Sequence, residues 1–162
     1  MAEFLKPRAL NQTDVERMHI PKLFWNVSLE RVVARVEGPG GVDMPLQTLL
    51  LNYIKQLKQQ FEDGTGLMLY GNNGRGKTAA LVCLGLEIRR RGLSVLYVET
   101  AKLKSIKIDG DRFNEAESMW ERILSVDVLI LDDLGKGVSD SRGFMQELLD
   151  EIVRTRGGRL RS

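Results

Sequence analysis

Apolar positions along the chain change period several times, and each change marks an element. Leu46, Leu49, Leu50, Tyr53, Ile54, Leu57 and Phe61 recur at helical spacing, which predicts one long helix from Asp43 with a single buried face. Pro45 falls in its first turn, where proline is tolerated. That apolar stripe reads as core contact and not as a zipper for a partner. Leu67-Met68-Leu69-Tyr70 is a short apolar run entered through Gly64 and Gly66, the form of a buried parallel strand. Leu81, Cys83, Leu84, Leu86 and Ile88 predict a helix from Thr78 to Arg91, which stops at Gly92 after three arginines in its last turn. Ser94 to Val98 reads as a second strand, with helical pieces near Ala101–Ile106 and Phe113–Leu124. Val126 to Leu131 is a third strand, and Phe144, Leu148, Leu149, Ile152 and Val153 mark a last helix. Strands alternating with helices predict an α/β fold, a parallel sheet flanked by helices.

The first part of the chain is different. Met1 to about Val42 holds Pro7, Pro21, Pro39 and a Gly38-Pro39-Gly40-Gly41 break, with a weak helical pattern around Leu29 to Val36. We read residues 1–42 as an N-terminal arm or linker and residues 43–162 as the core. No internal repeat or low-complexity segment interrupts either part.

Chemistry enters between the first predicted strand and the helix after it. Residues 71–78 are Gly71, Asn72, Asn73, Gly74, Arg75, Gly76, Lys77 and Thr78, the complete G-x-x-x-x-G-K-[ST] pattern of a phosphate-binding P-loop. Glycines let successive backbone N–H groups turn inward around a phosphate. Lys77 reaches the β and γ oxygens, and the Thr78 hydroxyl ligates Mg²⁺ at a helix N-terminus. The third strand ends in Asp132-Asp133, a hydrophobic run closing on two carboxylates as a Walker B segment does. On this reading Asp132 holds the metal and Asp133 orients the attacking water. Asp132 to Gly135 also spells D-x-x-G, which a GTPase uses, but no N-K-x-D guanine-reading segment occurs in the chain. The expected ligands are therefore ATP and Mg²⁺.

Composition sets outer bounds. The 162 residues are 43% hydrophobic and 28% charged, the balance of one globular domain. Net charge is only +2, so it gives no general argument for nucleic acid. Two local clusters, Arg89-Arg90-Arg91 and the tail from Arg154 to Arg161, suit either DNA phosphates or a basic helix end and a solvated tail. Cys83 is the single cysteine and falls on an apolar helix face, which excludes an intrachain disulfide and predicts a buried, inert thiol. The chain has neither a signal-like leader nor an apolar run long enough for a bilayer, so a cytoplasmic protein with no membrane partner is expected.

Taken together, Ile20-Pro21-Lys22-Leu23-Phe24-Trp25, the long helix, the P-loop, Ser94–Val98 and Leu129-Ile130-Leu131-Asp132-Asp133-Leu134-Gly135 resemble the AAA+ ATPases of the DnaC/DnaI helicase loaders and the IstB transposition helpers. The resemblance covers roughly residues 18–156. It implies Lys77 and Thr78 on phosphate and Mg²⁺, Asp132 on the metal, Asp133 on the water, and Ile20 and Pro21 near the adenine. It also implies a further strand with a polar sensor residue, an arginine finger and a helical lid beyond the last helix. The expectation is thus a core incomplete at its C-terminus, with slow hydrolysis, since such a finger is worth on the order of 10³–10⁵ in rate.

The function expected from this resemblance is ATP binding and hydrolysis in DNA replication, in a loader that engages a replicative helicase and single-stranded DNA. A homo-oligomer is possible for the full-length protein. A transposition helper shares every motif, and a P-loop kinase for a small acceptor is the reading from another class. A module that senses ATP without turning it over is a third class, and exchange of Asp133 separates it from an enzyme.

Overall fold

The structure, a computed structural model, describes residues 7–112, 118–134 and 143–159. The chain forms two compact units, Met1–Leu93 and Ser94–Ser162.

The first unit begins with α1 (Gln12–Arg17), whose Asn11 accepts from the Asp14 N–H while the Asp14 carboxylate accepts from the Asn11 N–H, a reciprocal cap. A 3-10 turn at Lys22–Phe24 follows, and Ile20 is buried just before it. The weak helical pattern expected around Leu29–Val36 reduces to one 3-10 turn, Leu29–Arg31. Beyond it the backbone becomes β1 (Arg35–Glu37), antiparallel to β2 (Asp43–Pro45) in the register Val36 to Met44. β-branched Val32, Val33 and Val36 disfavour helix, and Gly40 and Gly41 turn the chain at φ 75° and 76°, a region that glycine alone enters at no cost. The boundary drawn at residues 42/43 therefore runs through a hairpin.

The long helix expected from Asp43 is two helices, α2 (Leu46–Lys55) and α3 (Leu57–Glu62), broken where Gln56 sits at φ −99°, ψ 13°. Pro45 is not in the first turn. It is the N-cap, at ψ 132°, because it completes the hairpin ladder opposite Arg35. The predicted stripe is buried nonetheless: Leu46, Leu50, Ile54 and Leu57 all face the core. Leu67–Tyr70 is a second correction. It carries no strand ladder among the described residues, and Met68 and Tyr70 are 69% and 83% exposed. A strand exists through its neighbour's hydrogen bonds, and an apolar run alone does not supply them. Next comes α4 (Lys77–Arg90), which packs on α2 and is buried around most of its circumference from Ala80 to Ile88. Gly92, at φ 89°, ends it as predicted.

In the second unit β3 (Val95–Glu99) pairs in parallel with β4 (Val128–Asp132), Glu99 opposite Asp132. This is the parallel α/β arrangement expected from the alternation of elements. The helices α5 (Leu103–Arg112), α6 (Met119–Ser125) and α7 (Phe144–Arg159) pack with the strands around Leu96, Val98, Leu103, Trp120, Ile123, Met145, Leu148 and Ile152. Ser118 begins α6 with a capping box to Glu121. Residues 113–117 of the expected helix 113–124 lie outside the described residues. At the start of the ladder, Asp127 accepts from the Ser94 N–H and hydroxyl at 2.7 Å each, and its own N–H donates to the Ser94 hydroxyl oxygen at 2.8 Å. That exchange pins the register. Among the described residues no helix is long and apolar enough to cross a membrane.

Candidate nucleotide site

In the first unit the P-loop is built from backbone. Gly71, Gly74 and Gly76 stand at φ 135°, 76° and 76°, and no atom lies within 4 Å of where a Cβ on any of them would be. The conformation, and not crowding, is what demands glycine there. Gly76 is the left-handed N-cap of α4, so the helix opens directly from the loop and points its first free N–H groups into it. Lys77 folds its ammonium back over the loop, donating to the carbonyls of Gly71 at 2.9 Å and Asn72 at 2.8 Å. Thr78 is half-buried in the first turn, while Asn72, Asn73 and Arg75 are exposed on the loop. The chemistry of this donor set fits a polyphosphate: a cation, a helix N-terminus and a ring of amides, with no carboxylate in the loop.

The helix that carries the loop is anchored at its far end. Asp14, almost fully buried, accepts from both terminal nitrogens of Arg8 at 2.8 and 2.6 Å and from Arg89 of α4 at 2.9 Å. The Arg8 hydrogen bonds, then those from Asn11 and Arg89, hold this carboxyl well below the usual carboxylate range. Arg90 and Arg91 pair with Glu87 at 2.7 and 3.0 Å. The arginine cluster read as a possible phosphate contact is thus tied into the helix and its neighbour. In the same helix Cys83 is buried, and burial first, with Glu87 nearby, pushes its thiol up to about 11, matching the inert role expected.

Beside the loop lies a cavity of about 430 Å³, whose wall runs from Ala34 and the β1 residues Arg35–Glu37 across Leu46 and Leu49 of α2 to Met68–Gly71, Arg75 and Lys77. Its lining joins apolar side chains to loop residues, the character of a small-ligand site. Ile20 and Pro21, expected near the base, do not line it. Ile20 is 4% exposed, and its carbonyl accepts from the Trp25 indole N–H at 2.8 Å, while Pro21 caps the 3-10 turn. Sequence reasoning missed the hairpin residues because periodicity around Leu29–Val36 pointed to helix.

In the second unit the Walker B segment is built from side chains on a paired strand. Asp132, half-buried, ends β4 and accepts from the Tyr97 hydroxyl at 2.7 Å, and its backbone carbonyl accepts from the Thr100 hydroxyl at 2.8 Å. Burial, then the Asp132 carboxylate, raises the Tyr97 hydroxyl well above its ordinary range, so it stays a donor. Asp133 is exposed and turns the chain away at φ 56°, a left-handed conformation that Asp tolerates better than most residues. Gly135, part of the expected turn, lies outside the described residues. Neither Tyr97 nor Thr100 was singled out from the sequence, because their approach to Asp132 depends on strand register. Among the described residues no group of three or more His, Cys, Asp and Glu side chains could hold a metal by itself. Mg²⁺ keeps waters and phosphate oxygens in its shell and is commonly held by one or two protein carboxylates instead of such a cluster. In the tail, Arg156 is committed to the fold, donating to the carbonyls of Ile123, Val126 and Asp127 at 3.0, 2.7 and 3.0 Å.

A glycine loop opening a helix with Lys-Thr, in a chain that also carries a parallel α/β pair ending in Asp132, defines a P-loop nucleotide-binding protein. The match to known proteins narrows this: residues 50–157 fit the family described as "IstB-like ATP binding protein", and the chain belongs to that family. It is an ATP-binding protein of the AAA+ type. It is also similar to chromosomal replication initiator proteins DnaA, at 28% identity over 93 residues to that of Helicobacter hepaticus, covering 57% of this chain and 20% of the relative. The corresponding protein of Gluconobacter oxydans is 39% identical over 69 residues, 42% of this chain and 14% of the relative. A DnaA 2 of Protochlamydia amoebophila is 31% identical over 81 residues, half of this chain and 18% of the relative. The matched regions span a fifth or less of these relatives.

Proposed function

We propose that the protein is a Mg²⁺-dependent ATPase that acts in DNA replication as a loader of a replicative helicase. The observation that carries the ATPase reading is the Lys77 ammonium set over a loop of three left-handed glycines at the N-terminus of α4, in a chain of an ATP-binding family. In this reading the loop amides bind the β-phosphate, and Lys77 exchanges its two carbonyl acceptors for phosphate oxygens. The cavity lined by Val36, Leu46, Leu49 and Leu69 takes the nucleoside end. Thr78 and Asp132 are the residues that would hold Mg²⁺, which would supply charge neutralisation to the triphosphate. Asp133 accepts a proton from the attacking water and orients it. The replication role is supported by similarity to replication initiators. Single-stranded DNA and a helicase subunit are the partners it calls for, in a cytoplasmic oligomer.

The family match favours a second reading, a transposition helper, in which the partner is a transposase. The test begins with ATP and GTP binding in Mg²⁺, wild type against Lys77→Ala, followed by phosphate release with and without single-stranded DNA. Adenine-selective binding, lost in Lys77→Ala, is expected, with slow turnover that Asp133→Asn abolishes while ATP affinity stays. Preference for GTP, or turnover untouched by Asp133→Asn, overturns the ATPase reading. ATP-dependent retention of a purified replicative helicase, set beside retention of a transposase, then separates loader from helper.

A further inference from the structure

We infer that Arg75 is a second phosphate-binding cation of the nucleotide site, set on the α-phosphate where the loop meets the nucleoside cavity. This deepens the nucleotide reading made above and rests on it. The arginines at the two ends of α4 differ. At its last turn Arg89 is bound to Asp14, and Arg90 and Arg91 to Glu87. Just before its first residue Arg75 is exposed and, among the described residues, makes no hydrogen bond or ion pair. Gly74 and Gly76 on either side of it both stand at φ 76°, so the turn of the loop fixes where its side chain starts.

The cavity wall gives that cation a use. Its charged residues are Arg35, Glu37, Arg75 and Lys77. Arg35 is already matched by Asp43 at 2.7 Å. The Glu37 carboxylate lies over the hairpin turn, 3.5 Å from where a Cβ on Gly41 would stand. Lys77 covers the Gly71 and Asn72 carbonyls, and its part in the motif is the β and γ phosphates. Arg75 is thus the loop cation left over on the cavity side, next to a wall of Val36, Leu46, Leu49 and Leu69 that is apolar. A nucleotide with its nucleoside against that wall and its terminal phosphates on the loop carries its α-phosphate through the junction where Arg75 stands. A guanidinium suits that group, because it is a permanent cation whose planar fork pairs two phosphate oxygens at once.

The test is metal-free competition against a fluorescent ATP analogue by ATP, ADP, AMP and adenosine, in wild type, Arg75→Ala, Arg75→Lys and Lys77→Ala. Arg75→Ala is expected to weaken ATP, ADP and AMP about tenfold each, the loss of one charge-assisted pair, and to leave adenosine unchanged. Arg75→Lys is expected to recover only part of that loss, since an ammonium lacks the planar fork. Both variants should keep the wild-type melting temperature. In Lys77→Ala the loss should fall on ATP and ADP. A loss in Arg75→Ala confined to ATP, or to ATP and ADP, puts Arg75 on the outer phosphates. A loss shared by adenosine puts it against the base, and no loss makes it a solvated loop arginine; each of these overturns the inference. The two α-thiophosphate diastereomers of ATP give a second readout: wild type is expected to bind them unequally and Arg75→Ala to narrow the difference. Equal binding in wild type, or a difference that Arg75→Ala leaves intact, overturns the inference as well. If Lys77→Ala binds ATP as wild type does, the nucleotide reading fails first and the inference falls with it.

Discussion

In the loop of residues 71–76 three glycines hold positive φ with open space where a Cβ would stand, whereas Asp132 sits in a five-residue ladder with its carboxylate and carbonyl each bound by a hydroxyl from β3 or the turn that follows it. The two nucleotide motifs are thus made by different means. One is a backbone shape that local sequence sets, carried by the helix it opens. The other is a side-chain orientation that depends on a second strand. Damage to the first should appear through conformational cost, and damage to the second through lost support.

The largest effect is expected where that support begins. Leu96 is fully buried in β3 against the core of its unit, and Leu96→Ala should cost about 3 kcal/mol in denaturant unfolding, taking the Asp132 end with it. On the loop side, Asp14→Ala removes three bonds to arginine and one half of the cap of α1, for about 2 kcal/mol at neutral pH. Because the folded carboxyl is held below its unfolded value, this stabilisation is complete above pH ~4 and is lost as the pH falls through the folded value. A melting series from pH 7 to pH 2 should therefore fall more steeply for wild type than for Asp14→Ala.

The loop itself is tested by Gly76→Ala, expected to cost about 1–2 kcal/mol from its left-handed backbone alone, and to weaken nucleotide binding without changing the Mg²⁺ concentration that binding requires. Asp133→Gly is the mirror experiment: relief of φ 56° should stabilise the fold by up to about 1 kcal/mol while turnover is lost. A stabilising Gly76→Ala would break the distinction between the two motifs. The smallest effect concerns Cys83, whose thiol at about 11 should alkylate far more slowly in native protein at pH 8 than in denaturant.

What the sequence determined by itself is local. The glycine turns of residues 71–76, the helix they open with its stop at Gly92, a strand running into Asp132 and the burial of Leu46, Leu50, Ile54 and Leu57 are each specified by neighbours a few residues apart. Tertiary structure decided the rest. It turned residues 35–45 into a hairpin, split the long helix at Gln56, left Leu67–Tyr70 without a ladder among the described residues, and buried Ile20 away from the cavity wall. It tied Arg89 to Asp14 and Arg156 to the end of α6, giving two arginines of the basic clusters partners within the fold. It also placed the Tyr97 hydroxyl on Asp132 across 35 positions of sequence. Backbone torsions and helical or strand periods are properties of short segments, so sequence displays them. Ladders, ion pairs and cavities join segments whose meeting depends on every other contact in the fold, and no local pattern records them.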